Sequence, residues 1–385
     1  QLYTRLHRVD IRGRLPVSHK APLYQQLKES IIEQIRRGEL QPGDRVPSEN
    51  ELARRASVSR MTTKQALTEL ARDGWVYRIR GKGTFVASAL PTSERKLPRA
   101  VGIFVPHLNN PYATRIILGV EAELAKEGYH LIFRSGGTPQ AEVASVRDLL
   151  DAGIAGLIVW PAPGEYINQE LVRLRLAHFP IVLVDRYLRG LQVDCAQSDN
   201  LRGGYIATKH LLDLGHRHIA YAARFFSNVT SVEERHLGYQ AALREAGIQP
   251  QDQYVWVIPV VVDWTEWLKD HLTRYPEVTA IFCENDSIAV ELISSAAILG
   301  IRVPEDLSVV GFDDADRMDQ AQVPLTTVRQ DAAGLGKTAA RLLIERIQRA
   351  ERGDAGSPDG IRQVLLPVEL VRRASTASPT QSKAR

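Results

Sequence analysis

From residue 100 onward, short apolar runs alternate with amphipathic stretches, and this alternation restricts the possible folds more than any other feature of the chain. The apolar runs have strand length, and the stretches between them repeat apolar residues at helical spacing. Strands are predicted at residues 100–105, 130–133, 156–160 and 181–185, with helices near 112–127, 141–152 and 166–177. Such repeated β-α units indicate a parallel, doubly wound sheet.

The same alternation restarts near residue 219, which predicts a second lobe. Its strands are expected at residues 219–222, 256–260, 280–283 and 308–311, with helices near 233–246, 264–274 and 286–299. We therefore predict an α/β fold in which two doubly wound parallel sheets form residues 99–371 and enclose a cleft.

Ligands of doubly wound sheets bind beyond the carboxyl ends of the strands. At those positions the chain has residues 107–112, Ser135, Trp160, Asp185 with Arg186, residues 224–227 and residues 284–286. Aromatic rings, carboxylates, amides and guanidinium groups together suit a sugar, because planar polar groups bind adjacent hydroxyls while rings cover the C–H surface. Purines and amino acids remain alternative ligands.

Charge is distributed unevenly along the chain. Residues 1–90 hold 17 Lys and Arg against 9 Asp and Glu, whereas residues 91–385 hold 32 against 36. A basic segment on a mildly acidic body is typical of a protein that meets a polyanion at one end only. A basic but inert terminus would have the same charge, so the pattern within the segment has to decide.

That segment predicts a helix-turn-helix. Its first helix repeats apolar residues at Leu23, Leu27, Ile31 and Ile35. Ser48 and Glu51 can form a capping box at the start of a second helix, and Ser59 can cap a third after a tight turn. The exposed first turn of the third helix offers hydroxyl and cationic groups beside free backbone amides, which suits phosphates and base edges.

After Gly74 the periodicity changes to two, which indicates a β-hairpin. Tyr77 and Ile79 alternate with Arg78 and Arg80, and Gly81-Lys82-Gly83 makes a tight turn with a basic tip. A helix-turn-helix followed by such a hairpin is a winged helix, whose wing contacts the DNA backbone or minor groove.

The head resembles the winged-helix domain of the GntR family. The resemblance is carried by Pro22-Leu23-Tyr24, by residues 40–49 (LQPGDRVPSE), by Val58-Ser59-Arg60 and by residues 81–86 (GKGTFV). It implies a DNA-binding domain over residues 20–88, with a polar linker at 89–98. Together with Ser48 and the wing-tip Lys82, the DNA-contacting residues that we expect are Arg45, Glu49, Asn50, Ser59, Arg60, Met61, Thr62, Lys64, Arg80 and Gly81. Glu49 has a purely structural alternative as part of the helix cap.

The body resembles the effector domains of the LacI/GalR family, which have a periplasmic-binding-protein-like fold. The resemblance rests on residues 101–106 with 110–112, on 285–289, and above all on residues 303–314 (VPEDLSVVGFDD) with 324–328. A GntR-type head on such a body is similar to the arabinose-responsive repressors, which suggests a pentose as effector.

Ten residues are expected to line the effector cleft. Asn110, Ser135 and Asn285 are expected there from their strand-end positions, and the resemblance implies Tyr112, Trp160, Asp185, Ser231, Arg235, Trp264 and Asp286. Asp286 and Arg235 would hold effector hydroxyls from the second lobe. Structural alternatives exist for four of the ten. Asp286 could cap its helix, the two tryptophans could be core residues, and Arg235 could form a surface ion pair.

The remaining expectations concern compartment, tail and class. The two cysteines, Cys195 and Cys283, lack metal-like spacing and fit a reduced cytoplasm. We expect no metal or cofactor, and a disordered tail at 372–385.

The sequence contains no Walker loop, GxGxxG, HExxH or GxSxG motif that would support the alternative of a sugar-processing enzyme. The basic head disfavours a solute-binding protein, and no signal peptide is visible in a chain that begins at Gln1. We predict a transcription regulator, most simply a repressor, that binds palindromic operator DNA as a homodimer.

Overall fold

The computed structural model describes residues 22–79, 82–87, 99–108, 111–164, 167–224, 229–315, 322–352 and 360–380. The chain divides into two compact units, Gln1–Lys96 and Leu97–Arg385, which we call the head and the body. No helix in the described ranges is long and apolar enough to cross a membrane.

The head contains three helices and a hairpin in the predicted order. They are α1 (Leu23–Arg36), α2 (Glu49–Ala56), α3 (Arg60–Arg72), β1 (Val76–Ile79) and β2 (Gly83–Val86). Both sides of the capping box are present, since Ser48 accepts from the Glu51 amide and Glu51 accepts from the Ser48 amide. Ser59 caps α3 by accepting from the Thr62 amide at 3.1 Å. These caps fix where α2 and α3 begin, and therefore which turn of α3 is exposed.

The wing is an antiparallel hairpin of β1 and β2, and the short segment at residues 45–46 pairs with β2. Tyr77 pairs with Phe85 across β1 and β2, and Phe85 also bridges to Arg45. The Val46 amide donates to the Thr84 carbonyl at 2.9 Å. The segment before α2 is thereby tied to the hairpin, which places Arg45 beside the wing.

The body has the predicted fold, with two six-stranded sheets. The first lobe has strand order β13-β7-β6-β5-β3-β4, and the second has β14-β12-β11-β10-β8-β9. All described strand pairs of the body are parallel except β12 with β14. Helices cover both sheets, as expected for doubly wound sheets.

The first lobe consists of β3 (Ala100–Val105), α4 (Pro111–Lys126), β4 (His130–Ser135), α5 (Pro139–Asp151), β5 (Gly156–Val159), α6 (Gln169–Leu176), β6 (Ile181–Val184), β7 (Asp194–Ser198), α11 (Ala332–Glu351) and β13 (Gln363–Leu366). The second consists of α7 (Asn200–Asp213), β8 (Ile219–Ala223), α8 (Thr230–Glu245), β9 (Val255–Val257), α9 (Trp264–Arg274), β10 (Ala280–Cys283), α10 (Asp286–Ile298), β11 (Ser308–Asp313), β12 (Thr326–Gln330) and β14 (Val368–Val371).

Within the described ranges, the chain passes between the lobes three times, each time through a single residue. These residues are Asp199 between β7 and α7, Asp331 between β12 and α11, and Pro367 between β13 and β14. The Asp199 amide donates to the Leu366 carbonyl at 2.9 Å, which joins the first crossing to the third. Three single-residue crossings therefore connect the lobes, and we call them the hinge.

The prediction of a disordered tail at 372–385 is wrong for its first nine residues. Ser375 is fully buried, donates to the Val309 carbonyl at 2.6 Å and accepts from the Thr326 amide at 2.9 Å. The Ala377 amide donates to Ser308 Oγ at 3.1 Å. Small polar side chains in this segment satisfy strand-end groups of the second lobe, and a composition of that kind resembles a linker. Residues 381–385 lie outside the described ranges.

Candidate effector cleft and DNA-binding face

Between the lobes of the body lies a cleft of about 530 Å³. We call its deepest side chains the inner group: Tyr112, Trp160, Asp185, Arg186, Arg235, Glu284 and Asp313. Their exposed fraction is at most 11%, so they are shielded from bulk solvent. We call the residues nearer the mouth the outer group: His107, Pro163, Arg224, Trp264, Ser287 and Glu291. Ser231 and Asn285 also line the cleft.

Hydrogen bonds connect the inner group across the hinge. The Tyr112 hydroxyl of the first lobe donates to Asp185 Oδ1 at 2.9 Å and lies 3.2 Å from Gln330 Oε1. Gln330 is the last residue of β12, and its Nε2 donates to Asp313 Oδ1 at 2.7 Å. Two carboxylates from opposite lobes therefore belong to one buried network.

Arg235 is held in the cleft by close packing of two helices. A Cβ on Gly204 of α7 would lie 2.0 Å from the Arg235 carbonyl oxygen, so only glycine permits this approach of α7 to α8. Arg235 Nε donates to Asn200 Oδ1 at 2.9 Å, and its Nη1 lies 3.9 Å from Asp313 Oδ1. With 5% exposure, Arg235 is a cleft residue and not a surface ion-pair partner.

Asp185 and Asp313 occupy unusual backbone conformations at corresponding places in the two lobes. Asp185 directly follows the central strand β6 and has a φ of 72°. Asp313 is the last residue of the central strand β11 and has a φ of 118°. Residues other than glycine rarely adopt such positive φ angles, and aspartate tolerates them better than most residues. Strain of this kind concentrates where a side chain must point into a site.

Burial shifts the protonation of the inner carboxyls. Desolvation raises the pKa of Glu284 to about 8 and that of Asp313 to about 7, although Arg235 beside them acts in the opposite direction. Desolvation likewise raises the pKa of the Tyr112 hydroxyl, helped by Asp185. Near neutral pH the cleft therefore contains carboxyls that can donate as well as accept hydrogen bonds.

Three buried polar atoms of the inner group lack a hydrogen-bond partner among the described residues. They are Trp160 Nε1 and Arg186 Nε, both donors, and Glu284 Oε2; Arg186 Nε does lie 3.3 Å from Asp185 Oδ2 as an ion pair. Buried polar atoms without partners are costly and are rare in native proteins. Two donors and a carboxyl oxygen without partners share one cleft, and hydroxyl groups, which both donate and accept, suit such a set.

The structure corrects two of the predicted cleft residues. Ser135 is exposed at the end of β4 and does not line the cleft. Asp286 is buried within the second lobe, where it accepts from Thr327 Oγ1 at 2.5 Å and from the Ala315 amide at 2.8 Å. It does not cap α10 either, because Asn285 does so by accepting from the Ile288 amide. Asn110 lies outside the described residues.

Asp313 is the inner-group residue that the sequence interpretation missed, and Pro163, Ser287 and Glu291 of the outer group were missed as well. The predicted strand ended at residue 311, whereas β11 continues to Asp313 and brings its carboxylate to the carboxyl edge of the sheet. Arg186 and Glu284 were named because ligands bind beyond the carboxyl ends of the strands. Had the predicted strand been two residues longer, the same rule would have named Asp313. Trp160 and Trp264 both line the cleft, although Trp160 also packs edge-on against Tyr112 at 5.6 Å.

In the head, the predicted DNA-contacting residues lie at the starts of α2 and α3 and on or beside the wing. Arg60 and Met61 are each 72% exposed. Arg45, Ser48, Asn50, Ser59, Lys64 and Lys82 are also exposed, whereas Glu49 and Thr62 are half-buried. Glu49 lies 3.6 Å from Arg60 and takes no part in the capping box, so it orients a cation of α3. Arg80 and Gly81 lie outside the described residues.

Comparison with known proteins identifies both parts of the chain. Residues 23–86 match the gntR family of bacterial regulatory proteins, and residues 208–376 match the periplasmic binding protein-like domain. The arabinose metabolism transcriptional repressor of Geobacillus stearothermophilus is 32% identical over 365 residues, which cover 92% of this chain and 98% of that protein. This chain belongs to the family of arabinose metabolism transcriptional repressors. It is a DNA-binding, ligand-sensing regulator and not an enzyme.

Solved structures share the fold of the repressor. The transcriptional regulator CelR in complex with cellobiose matches with a TM-score of 0.64 and 25% identity, over 86% of this chain and all of that one. A LacI family transcriptional regulator from Enterococcus faecium with bound ribose matches with a TM-score of 0.61 and 27% identity, over 73% of this chain and all of that one.

Proposed function

We propose that this repressor binds a neutral sugar, with a pentose unit in the inner group, and that the sugar changes its affinity for operator DNA. The observation that carries the proposal is the composition of the inner group. Three carboxyl side chains face two guanidinium groups there, alongside a phenol and an indole. Because Glu284 and Asp313 have pKa values of about 8 and about 7, part of that negative charge is neutralised near pH 7.

A nearly balanced cleft favours a neutral ligand over an anionic one. A sugar phosphate would need an excess of cations or a cluster of free amides to offset its charge. Hydroxyl groups instead match the mixed set of donors and acceptors, including the unpartnered Trp160 Nε1. The arabinose repressor relative and the ribose-bound structure support a five-carbon sugar.

We further propose that two copies of the chain bind a palindromic operator through α3 and the wing. One winged helix contacts few bases, and a dimer doubles that number on a symmetric site. Arg60, Met61 and Lys64 project from the exposed first half of α3, and Arg45 lies beside the wing. In this arrangement α3 enters the major groove while the wing holds the backbone. The repressor then acts in the compartment that holds the DNA, the cytoplasm.

Selection of binding sites from a random DNA library, followed by fluorescence anisotropy with the full chain, tests both parts of the proposal. We expect a two-fold symmetric site, and a change in its dissociation constant when arabinose, xylose or ribose is added. An effector that binds one state a hundredfold more tightly supplies about 2.7 kcal/mol of coupling. A selected site without symmetry would contradict the dimer, and unchanged affinity with every bound sugar would contradict the switch.

A nucleobase remains the alternative ligand because the cleft contains an indole, a phenol and planar polar groups. The same assay with adenine, guanine and hypoxanthine discriminates the two. Binding of a nucleobase without binding of any sugar would favour that alternative.

A further inference from the structure

We propose that Gly83 is a positioning residue for DNA binding, because it lets the guanidinium group of Arg45 lie against the backbone of the wing, ready for a DNA phosphate. The inference rests on the proposed function, since it specifies how the wing and the segment beside it hold the DNA backbone. Three observations carry it: the backbone around Arg45 is tied to the wing, its side chain covers Gly83, and its guanidinium group makes no hydrogen bond to the described residues.

The backbone on both sides of Arg45 is bonded to the strand β2. The Val86 amide donates to the Asp44 carbonyl at 2.9 Å. The Val46 amide donates to the Thr84 carbonyl at the same distance of 2.9 Å. Because these two bonds flank Arg45, its side chain leaves the backbone at a place that the wing fixes.

The side chain of Arg45 lies over Gly83, in space that any other residue would fill. A Cβ on Gly83 would lie 2.8 Å from Arg45 Nε and 3.3 Å from Arg45 Nη2. Non-bonded atoms are most favourably placed about 3.5–4.0 Å apart, so the Cβ and the guanidinium group cannot both occupy these positions. The arginine side chain is the flexible partner of this contact. A side chain at position 83 would therefore displace the guanidinium group.

The guanidinium group of Arg45 is available to a ligand. Arg45 is exposed, and it makes no hydrogen bond or salt bridge with the described residues of the chain. Its N–H groups therefore keep the planar fork that matches the oxygens of a phosphate. Binding a phosphate would break no existing hydrogen bond of this side chain within the described ranges.

The surroundings of Arg45 favour a DNA phosphate as its partner. Lys82, the residue before Gly83, is exposed at the wing tip and supplies a second cation. Contacts to phosphates fix the orientation of a protein on the duplex, and a pair of cations on the wing suits that role. A guanidinium group that already rests on the wing loses less rotamer entropy on binding than a free one. Gly83 therefore raises DNA affinity by acting through Arg45.

A double-mutant cycle of Gly83→Ala and Arg45→Ala tests the inference, with fluorescence anisotropy over a salt series on the full chain and its selected operator. Gly83→Ala is expected to weaken binding by about tenfold or more, as for a lost charge-assisted hydrogen bond. It should also reduce the salt slope by about one. In the Arg45→Ala background the same change should leave both quantities as they are, because the guanidinium group is already absent.

Gly38→Ala is the matched control for the backbone. Gly38 also has a positive φ, of 74°, but a Cβ there would meet nothing within 4 Å. This variant should keep the wild-type dissociation constant and salt slope. Gly83 has a φ of 124°, so its substitution also strains the backbone, and the Arg45→Ala background separates that strain from the displacement of the guanidinium group.

The outcomes separate this inference from the proposed function. A wild-type chain that selects and binds no DNA overturns both. Operator binding that Gly83→Ala leaves unchanged overturns the inference alone. An equal loss with and without the Arg45 side chain also overturns it, since that loss would come from the wing backbone.

A measurement on the wild-type chain decides the matter if circular dichroism shows that Gly83→Ala does not fold. NMR relaxation of the free protein gives the order parameter of the Arg45 Nε–H bond. We expect it to exceed about 0.6, the upper limit for flexible groups. Arg55, an exposed arginine of α2, is the reference and should lie below that value. Equal order parameters for the two arginines would show that Gly83 does not hold Arg45 in place.

Discussion

Gln330 and Asp313 are joined by a 2.7 Å hydrogen bond that ends at the second crossing between the lobes. Because Gln330 Oε1 also lies 3.2 Å from the Tyr112 hydroxyl, hydrogen bonds connect Asp313 of the second lobe to Tyr112 of the first. A ligand that contacts Asp185 and Asp313 would act on both ends of this network, and so on the hinge.

The first prediction concerns this coupling. Tyr112→Phe removes the hydroxyl that connects Asp185 and Gln330, and we expect it to reduce the factor by which sugar changes operator affinity. The cost in unfolding free energy should be about 1 kcal/mol. Tyr239→Phe is the matched control, since its hydroxyl donates to the Ile219 carbonyl at 2.7 Å within the second lobe. Anisotropy with and without sugar measures the factor, and equal responses of the two variants would contradict the coupling.

The second prediction separates the two buried aspartates. Asp313→Asn should weaken sugar binding by about tenfold or more, because a charge-assisted hydrogen bond is worth about 1.5–3 kcal/mol. Asp286→Asn should change sugar affinity by less than about threefold and mainly lower stability, since Asp286 bonds to Thr327 and Ala315. Calorimetric titration measures both variants. The opposite ranking would restore Asp286 as the ligand-binding carboxylate.

The third prediction is a pH dependence of stability in the absence of sugar. Glu284 has a pKa of about 8 in the fold because of burial, against about 4.3 in an unfolded chain. The fold therefore holds a proton that the unfolded chain releases. This stabilisation is complete below about pH 4 and is lost as the pH rises through about 8. Asp313, with a pKa of about 7, acts in the same direction.

Thermal unfolding between about pH 6.5 and 8 measures this effect, and we expect the melting temperature to fall as the pH rises. Each group contributes at most about 1.4 kcal/mol per pH unit. His210 and His236, whose pKa values burial lowers to about 4, cost stability only below about pH 6.5. Glu284→Gln should flatten the slope, and an unchanged slope would show that Glu284 is ionised throughout.

The fourth prediction concerns the C-terminal segment. Ser375→Ala leaves the Val309 carbonyl and the Thr326 amide without their partner, so we expect a loss of about 1–3 kcal/mol in unfolding free energy. Truncation after residue 371 should cost more, whereas truncation after residue 380 serves as the control. Urea denaturation measures all three proteins. Equal stability of the two truncated chains would mean that the segment adds nothing to the fold.

The fifth prediction concerns DNA binding. Arg60→Ala should weaken operator binding by about 1–3 kcal/mol if Arg60 reads a base, and Lys64→Ala should reduce the salt slope by about one if Lys64 meets a phosphate. Arg72→Ala is the control, since Arg72 is an exposed cation in the last turn of the same helix. Anisotropy across a salt series measures each. Equal losses in all three variants would indicate only a general effect of charge.

The sequence by itself determined the order of the elements in the head and predicted eight strands and six helices of the body, but it did not predict α7, α11, β7, β12, β13 or β14. Periodicity separates strand from helix over a few residues, and the caps of α2 and α3 are made by Ser48 and Ser59 with neighbours three positions away. Trp160, Asp185 and Arg235 were also predictable, because they lie at strand ends or within a family pattern. All of these signals are local.

Only the tertiary structure decided which carboxylate reaches the cleft and which segments complete the sheets. Strand β7 begins with Asp194 and carries polar residues, yet it is buried because Arg346 and Arg362 pair with that aspartate from positions more than a hundred residues away. The buried place of Ser375 likewise depends on β11 and β12 lying side by side. Asp286 lies at the start of α10, just after β10, whereas Asp313 is the last residue of β11. The pairing of β11 with β10 and β12 places Asp313 in the cleft. Contacts between residues distant in sequence have no local periodicity, so no short pattern can reveal them.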